Sequence, residues 1–233
     1  MNPWFILLIE LLLIFLTSRN VFQSIFTLLF LLTRSQKISV SLISLFFFPG
    51  TVLHELSHLL TAEVLRVKTH GMEFSPVYQN GRLKMGSVRV SQSDPIRQFF
   101  IGIAPFVMGV AALVSLLFLY TRYFTVYSAF QSGQGVLILF FLLLFVFIIT
   151  NTMFSSKKDM EGVMGLVVLA VVVIIAFFIL GLHPERVFYL LVENKYWQNS
   201  SRSVALFLAV PLTINIIVIL IAYPILKKYT IRQ

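Results

Sequence analysis

The chain has 233 residues, of which 58% are hydrophobic and 12% are charged, and its formal net charge is +9. A soluble domain of this size needs a polar exterior that such a composition cannot provide, so we expect an integral membrane protein. The excess of Lys and Arg is then typical of cytoplasmic loops, and we expect no nucleic-acid partner. Because the sequence has no Cys, disulfides are excluded, and any metal ligands must come from its four His and nine acidic residues.

Six apolar stretches are long enough, or nearly so, to cross a bilayer as helices of about 20 residues. They are residues 4–32, 38–65, 99–120, 136–154, 162–181 and 204–226. The sequence Ser18-Arg19-Asn20 divides the first stretch into two halves that are each too short, which favours one long tilted helix over a hairpin. We interpret this first stretch as a membrane segment and not as a cleavable signal peptide. The fold class that we predict is an all-α polytopic membrane protein with a single membrane domain over residues 1–233.

The main polar segment, residues 66–98, lies between the second and third predicted spans. The sequence Gln79-Asn80-Gly81-Arg82 is typical of a tight hairpin turn. Apolar and polar residues alternate after it, and a change of phase at Gly86 indicates a bulge. We therefore predict a small β-hairpin at the membrane surface.

Lys and Arg residues are distributed unequally between the two sides of the predicted spans, with eleven on one side and six on the other. The eleven are Arg66, Lys68, Arg82, Lys84, Arg89, Arg97, Lys157, Lys158, Lys227, Lys228 and Arg232. The side that is richer in these residues is expected to be cytoplasmic. This distribution predicts a multi-pass protein of the cell membrane with both termini in the cytoplasm.

The second span contains His54-Glu55-Leu56-Ser57-His58, which matches the pattern HExxH. Two His four residues apart lie on one helical face and can bind one Zn²⁺ ion through ring nitrogens. The adjacent Glu55 can take a proton from the water that attacks a carbonyl group. The pattern also arises by chance, but ionisable side chains inside an apolar span are unfavourable unless they pair or bind a metal. We therefore predict that His54 and His58 are zinc ligands and that Glu55 is the general base.

A catalytic zinc site needs a third protein ligand. The extended pattern HExxHxxGxxH is absent, because Thr61 and Val64 occupy its Gly and His positions. The remaining candidates are His70, Glu73, Asp159, Glu161 and Glu10. Asp159 is favoured because the second and fourth spans run in the same direction, and His58 lies roughly 12 Å from the membrane face that both reach. Asp159 could instead cap the following helix, and Glu161 remains the fallback ligand.

These residues resemble the site-2 protease family of intramembrane zinc metalloproteases, in which a membrane-embedded HExxH is followed by the motif NxxPxxxLDG. Asn151 and Asp159 keep the family's eight-residue interval. Phe154 and Lys158 stand where the family has Pro and Leu, and the Gly follows later, at position 162. The resemblance implies that Asp159 is the third ligand and that Asn151 helps to position the substrate or the oxyanion.

A second motif of the family, Gly-Pro-x-x-Asn preceded by Arg, is matched in part. Arg97 and the pair Ala104-Pro105 are similar to it, but Met108 stands where the family has Asn. Pro211, Thr213 and Asn215 in the last span could loosen a substrate gate, but we favour a role for them in packing between helices. The sequence thus resembles a divergent member of the family.

The resemblance covers roughly residues 38–181 and implies a catalytic core there, flanked by peripheral spans at 4–32 and 204–226. It implies one Zn²⁺ ion per chain and a substrate that is a transmembrane helix of another protein. That helix must unwind locally, because helical carbonyl groups are already hydrogen-bonded. Two alternatives remain open: a membrane zinc metalloprotease that uses a downstream Glu as third ligand, and a non-proteolytic metal-binding scaffold or transporter subunit.

Overall fold

The computed structural model describes residues 3–74, 77–79, 82–84, 86–123, 132–154, 157–181 and 195–230. The helices are α1 (Pro3–Thr33), α2 (Gln36–Val64), α3 (Pro95–Tyr123), α4 (Gly133–Thr152), α5 (Lys157–Ile179) and α6 (Lys195–Thr230). The strands are β1 (Thr69–Glu73), β2 (Val77–Gln79), β3 (Arg82–Lys84) and β4 (Ser87–Val90). These residues are mostly helical, as the sequence predicts. Residues 182–194, between the fifth and sixth predicted spans, lie outside the described residues, and α6 begins at Lys195.

Four of the described helices contain a stretch that is long and apolar enough to cross a membrane. These stretches are Gln36–Val64, Pro95–Tyr120, Gly133–Thr152 and Ser201–Pro224, and they correspond to the second, third, fourth and sixth predicted spans. In α1 the halves Phe5–Ser18 and Asn20–Thr33 meet at a bend of 45° and together are apolar enough for a fifth. The described apolar part of α5, Val167–Ile179, is shorter than these four.

The bend in α1 lies where hydroxyl groups bond to the preceding turn. Thr17 Oγ1 donates to the Leu13 carbonyl oxygen at 2.7 Å, and Ser18 Oγ donates to the Phe15 carbonyl oxygen at 3.1 Å. Side-chain hydrogen bonds of this kind often bend helices. The polar interruption in the sequence thus marks a bend within α1, which continues as a helix to Thr33.

Apolar side chains from α1, α2 and α4 form one buried cluster, and side chains from α1, α6 and the two residues after α4, Met153 and Phe154, form a second. Helices α2 and α4 approach each other closely at Gly50. A Cβ atom there would lie 2.4 Å from Thr152 Oγ1 and 2.7 Å from Ile148 Cγ2. Small residues allow membrane helices to approach this closely. The contact places the C-terminal end of α4 beside the helical turn that precedes His54.

Residues 69–90 form an interrupted antiparallel hairpin in which β1 pairs with β4 and β2 pairs with β3. Gln79 pairs with Arg82, which confirms the position of the predicted turn. The predicted irregularity at Gly86 separates β3 from β4. A second irregularity lies near Gly71, whose φ of +108° is readily accessible only to glycine.

The hairpin folds back along α2. Gly86 lies against Thr51 and Glu55, and the Phe74 ring contacts the Phe48 ring with 5.9 Å between centroids. Position 48 is sixteen residues before the end of α2, which is roughly 24 Å at helical rise. The strands therefore lie beside α2, and their position at the membrane surface stays a prediction. This packing is possible because Phe74 is apolar and because Gly86 has no side chain that would separate the two backbones.

Candidate metal centre

Helix α2 places His54, Glu55 and His58 on adjoining positions of its inner surface. The side chains of His54 and Glu55 are only 4% and 5% exposed, and His58 is partly buried. The rings of His54 and His58 are one turn apart, with 4.9 Å between their centroids. The structure thus brings together the two His ligands that the sequence predicts.

His58 is held by the backbone of α3. Its Nδ1 atom lies 2.8 Å from the carbonyl oxygen of Ile101. A carbonyl oxygen can only accept, so Nδ1 carries the proton and the ring lone pair is on Nε2. Metal-binding His residues are commonly oriented by such a bond, which fixes the tautomer that can bind a cation. The sequence could not predict that Ile101 bonds His58, because the acceptor is a backbone carbonyl group 43 residues further along the chain.

The donor set of this site suits Zn²⁺. Two neutral imidazole nitrogens on one helical face, with a carboxylate as a third ligand, are typical of catalytic zinc sites. The chain has no Cys, so thiolate ligands are excluded. The buried position of His54 and the fixed tautomer of His58 both agree with binding of a cation through ring nitrogens.

The Glu55 side chain packs against the hairpin backbone at Gly86. A Cβ atom on Gly86 would be 3.0 Å from Glu55 Cγ, 3.0 Å from Glu55 Oε1 and 3.1 Å from Thr51 Cγ2. Any side chain at position 86 would therefore displace the carboxylate or the strand. Gly86 is the residue that lets the hairpin backbone cover the predicted general base.

The hairpin places non-helical backbone beside α2. Each of its strand pairs is two-stranded, so each strand has an outer edge of backbone groups without a ladder partner in its sheet. Backbone groups at membrane depth must be satisfied by protein or by water. Non-helical backbone beside α2 is thus consistent with a hydrated space next to Glu55.

Asp159, the predicted third ligand, belongs to the first turn of α5, and its side chain lies outside the described part of the structure. Gly165, further along α5, packs against the Phe99 ring, since a Cβ atom there would be 2.9 Å from Phe99 Cε2. Phe99 is two residues before Ile101, whose carbonyl group holds His58. The N-terminal part of α5 therefore lies next to the segment of α3 that contacts the HExxH helix.

No group of three His, Asp or Glu side chains comes together among those that the structure describes. The side chains of Asp159 and of the fallback ligand Glu161 are not among them. Both assignments therefore stay predictions.

The other ligand candidates lie elsewhere. His70 Nε2 is 2.7 Å from Ser91 Oγ, and Glu73 bonds Arg89 across the hairpin, both pairs being exposed. Glu10 lies in the N-terminal half of α1, and in the described part of the chain no hydrogen-bond partner reaches its buried Oε2 atom. His70 and Glu73 are thus engaged within the hairpin.

Asn151 is fully buried in the last turn of α4. Its Nδ2 atom donates to the Phe147 carbonyl oxygen at 2.9 Å and to Asn215 Oδ1 at 3.1 Å. Asn215 Nδ2 in turn donates to Thr17 Oγ1 at 3.2 Å. The pairing of two Asn residues 64 positions apart was not foreseen. The only signal for it was that each is a polar residue within an apolar span.

The residues of the partly matched second motif have structural contacts. Arg97 Nε pairs with Asp94 Oδ2 at 3.1 Å, and Asp94 Oδ1 accepts from the Arg97 backbone N–H at 3.0 Å. Asp94 therefore caps the start of α3. Met108 is 37% exposed, whereas its neighbour Gly109 packs against Met153.

Comparison of the chain with protein-family models, with curated proteins and with solved structures found no match. The resemblance to the site-2 protease family therefore rests on the motif residues, and the zinc site stays a prediction from the HExxH pattern.

Proposed function

We propose that the chain is an intramembrane zinc metalloprotease that hydrolyses peptide bonds within or near transmembrane segments of other membrane proteins. The observation that carries this proposal is that His54 and Glu55 of the HExxH sequence are buried in a helix that is long and apolar enough to cross a membrane. The bond from His58 to Ile101 adds a fixed tautomer suited to a metal. Such a set of ionisable groups is unfavourable in an apolar span unless it binds a cation.

In this proposal His54, His58 and Asp159 hold one Zn²⁺ ion, which when bound supplies Lewis-acid activation of the scissile carbonyl group. Glu55 takes the proton from the attacking water and later delivers it to the leaving amine. The hairpin at Gly86 holds the Glu55 carboxylate in place, and Asn151 contacts the substrate. The substrate segment must be unwound before its carbonyl groups can react.

The proposal includes six spans with both termini in the cytoplasm of a cell. Four helices of span length, the bent apolar helix α1 and the apolar helix α5 support it. The excess of Lys and Arg on one side supports the orientation.

Glu55→Gln tests the mechanism in the full chain, purified and reconstituted in vesicles. The probe is a tagged single-span protein whose Leu-Ala segment of about 20 residues is interrupted by Asn-Pro-Gly. We expect wild type and variant to hold equal zinc, and cleavage to be lost in the variant, because an amide cannot accept the proton. Unchanged cleavage would contradict the role of Glu55, and wild type without zinc would contradict the metal site.

Asp159→Ala and Glu161→Ala form a matched pair for the third ligand. Zinc measured in the purified variants should fall for Asp159→Ala and stay at the wild-type level for Glu161→Ala. The reverse pattern would favour the alternative protease with a Glu ligand.

A further inference from the structure

Three polar side chains connect α1, α4 and α6 inside the apolar core. They are Thr17, Asn151 and Asn215, joined by hydrogen bonds of 3.1 Å between the two Asn residues and 3.2 Å between Asn215 and Thr17. Both Asn side chains are completely buried. The cluster therefore has fixed partners and a fixed geometry.

The direction of every bond in this cluster follows from the acceptors at its ends. The Phe147 carbonyl oxygen can only accept, so the Asn151 atom 2.9 Å away must be its amide nitrogen. The same nitrogen then donates to Asn215 Oδ1, and Asn215 Nδ2 donates to Thr17 Oγ1. The Thr17 hydroxyl donates to the Leu13 carbonyl oxygen at 2.7 Å. Both amide hydrogens of Asn151 are thus used within the fold.

The remaining polar atom is Asn151 Oδ1. It is buried, and in the described part of the chain no donor reaches it. A buried acceptor without a donor is unfavourable, and in folded proteins such groups are uncommon. The cluster therefore leaves one buried acceptor for which the described residues supply no donor.

This acceptor lies close to the catalytic helix. Thr152, the residue after Asn151, contacts α2 at Gly50, and Gly50 is one helical turn before His54. A substrate segment that passes the zinc site along α2 would therefore pass the end of α4 as well.

We propose that Asn215 and Thr17 are positioning residues that fix the orientation of the Asn151 side-chain amide. In this orientation Asn151 Oδ1 accepts a hydrogen bond from a backbone N–H of the unwound substrate. The inference rests on the proposed function. It narrows the role of Asn151 to substrate binding, because an amide whose two hydrogens are already used cannot stabilise an oxyanion. The competing interpretation is that the cluster only holds three helices together.

The test compares four variants in the full zinc-loaded protein with the tagged single-span probe. Asn215→Leu removes both bonds of Asn215, and Asn215→Asp keeps the acceptor for Asn151. Thr17→Val removes the last link, and its matched control is Thr27→Val, since Thr27 Oγ1 donates within its own helix to the Gln23 carbonyl oxygen.

We expect Asn215→Leu and Thr17→Val to raise KM about fivefold to tenfold, the usual contribution of one hydrogen bond, with kcat and zinc content unchanged. Asn215→Asp keeps the acceptor for Asn151 but loses the N–H that Thr17 accepts, so it should raise KM no more than Thr17→Val does, and Thr27→Val should leave KM unchanged. A fall in kcat at constant KM would indicate an oxyanion role and overturn the proposal. Lower thermal stability with both constants unchanged would overturn it as well.

Hydrogen exchange of the Asn151 side-chain amide, followed by NMR of Asn-labelled protein, tests the positioning without a substrate. Wild type and Asn215→Asp should protect this amide, and Asn215→Leu should exchange it faster. Equal exchange in all three would overturn the positioning role. If wild type cleaves no probe, the proposed function fails, and this measurement still decides whether Asn215 orients Asn151.

Discussion

The backbone of Gly86 lies so close to Glu55 that a Cβ atom at position 86 would be 3.0 Å from Glu55 Oε1. The hairpin and the HExxH helix therefore form one unit, although more than thirty residues separate these two positions. The carboxylate that is proposed to move the proton belongs to α2, and the backbone of the hairpin at Gly86 packs against it.

Gly86→Ala should reduce cleavage of the single-span probe by about tenfold, because the added methyl group shifts the base from its position beside the hairpin and misaligns proton transfer. Zinc content should remain at the wild-type level, since His54 and His58 are not touched. The control is Gly133→Ala, where an added Cβ would have no neighbour within 4 Å. Full activity of Gly86→Ala would contradict the coupling of hairpin and base.

Gly50→Ala should destabilise the protein by about 1–3 kcal/mol, because the added methyl group overpacks the contact between α2 and α4. The measurement is thermal unfolding in detergent. Adding Thr152→Ala removes the atoms at 2.4 Å and 2.9 Å from the new Cβ and should recover part of the loss. A double variant no more stable than Gly50→Ala would show that Thr152 is not the obstacle.

His70→Ala and Glu73→Gln should leave zinc content unchanged, because these side chains are engaged with Ser91 and Arg89 in the hairpin. Loss of the exposed Glu73–Arg89 pair should change stability by no more than about 1 kcal/mol. Metal analysis beside His58→Ala, which should lose zinc, checks this prediction. A loss of zinc in Glu73→Gln would make Glu73 a ligand.

Lys68→Cys and Lys195→Cys test the orientation in intact cells. The chain has no Cys, so each variant carries a single thiol. If the side richer in Lys and Arg is cytoplasmic, an impermeant maleimide should label Lys195→Cys and reach Lys68→Cys only after the membrane is opened. Labelling of Lys68→Cys in intact cells would reverse the orientation.

Local patterns in the sequence predicted much of the fold. Apolar length located the helices α2, α3 and α4, and the turn between Gln79 and Arg82 was placed by its Asn-Gly pair. Both signals are local, because they depend on helical rise and on backbone preferences of a few neighbouring residues. The four-residue spacing of His54 and His58 is also a local signal, because it depends only on the helical repeat.

Contacts between distant segments could not be predicted in this way. The return of the hairpin along α2 to Phe48 depends on packing that periodicity does not encode. The partner of His58 is a backbone carbonyl group, which every residue has, so the identity of Ile101 gives no signal. The pairing of Asn151 with Asn215 requires knowing which helices are neighbours.

The two contacts that hold α2 have a mechanical consequence. Gly50 is locked against α4, and His58 is bonded to α3 roughly 12 Å further along the helix, so α2 is clamped at two heights. In contrast, the large side chains from Val167 to Leu180 that carry α5 through the apolar region are all exposed. A rearrangement that admits a bulky partner would therefore leave α2 in place, because its contacts at Gly50 and at His58 would both have to break.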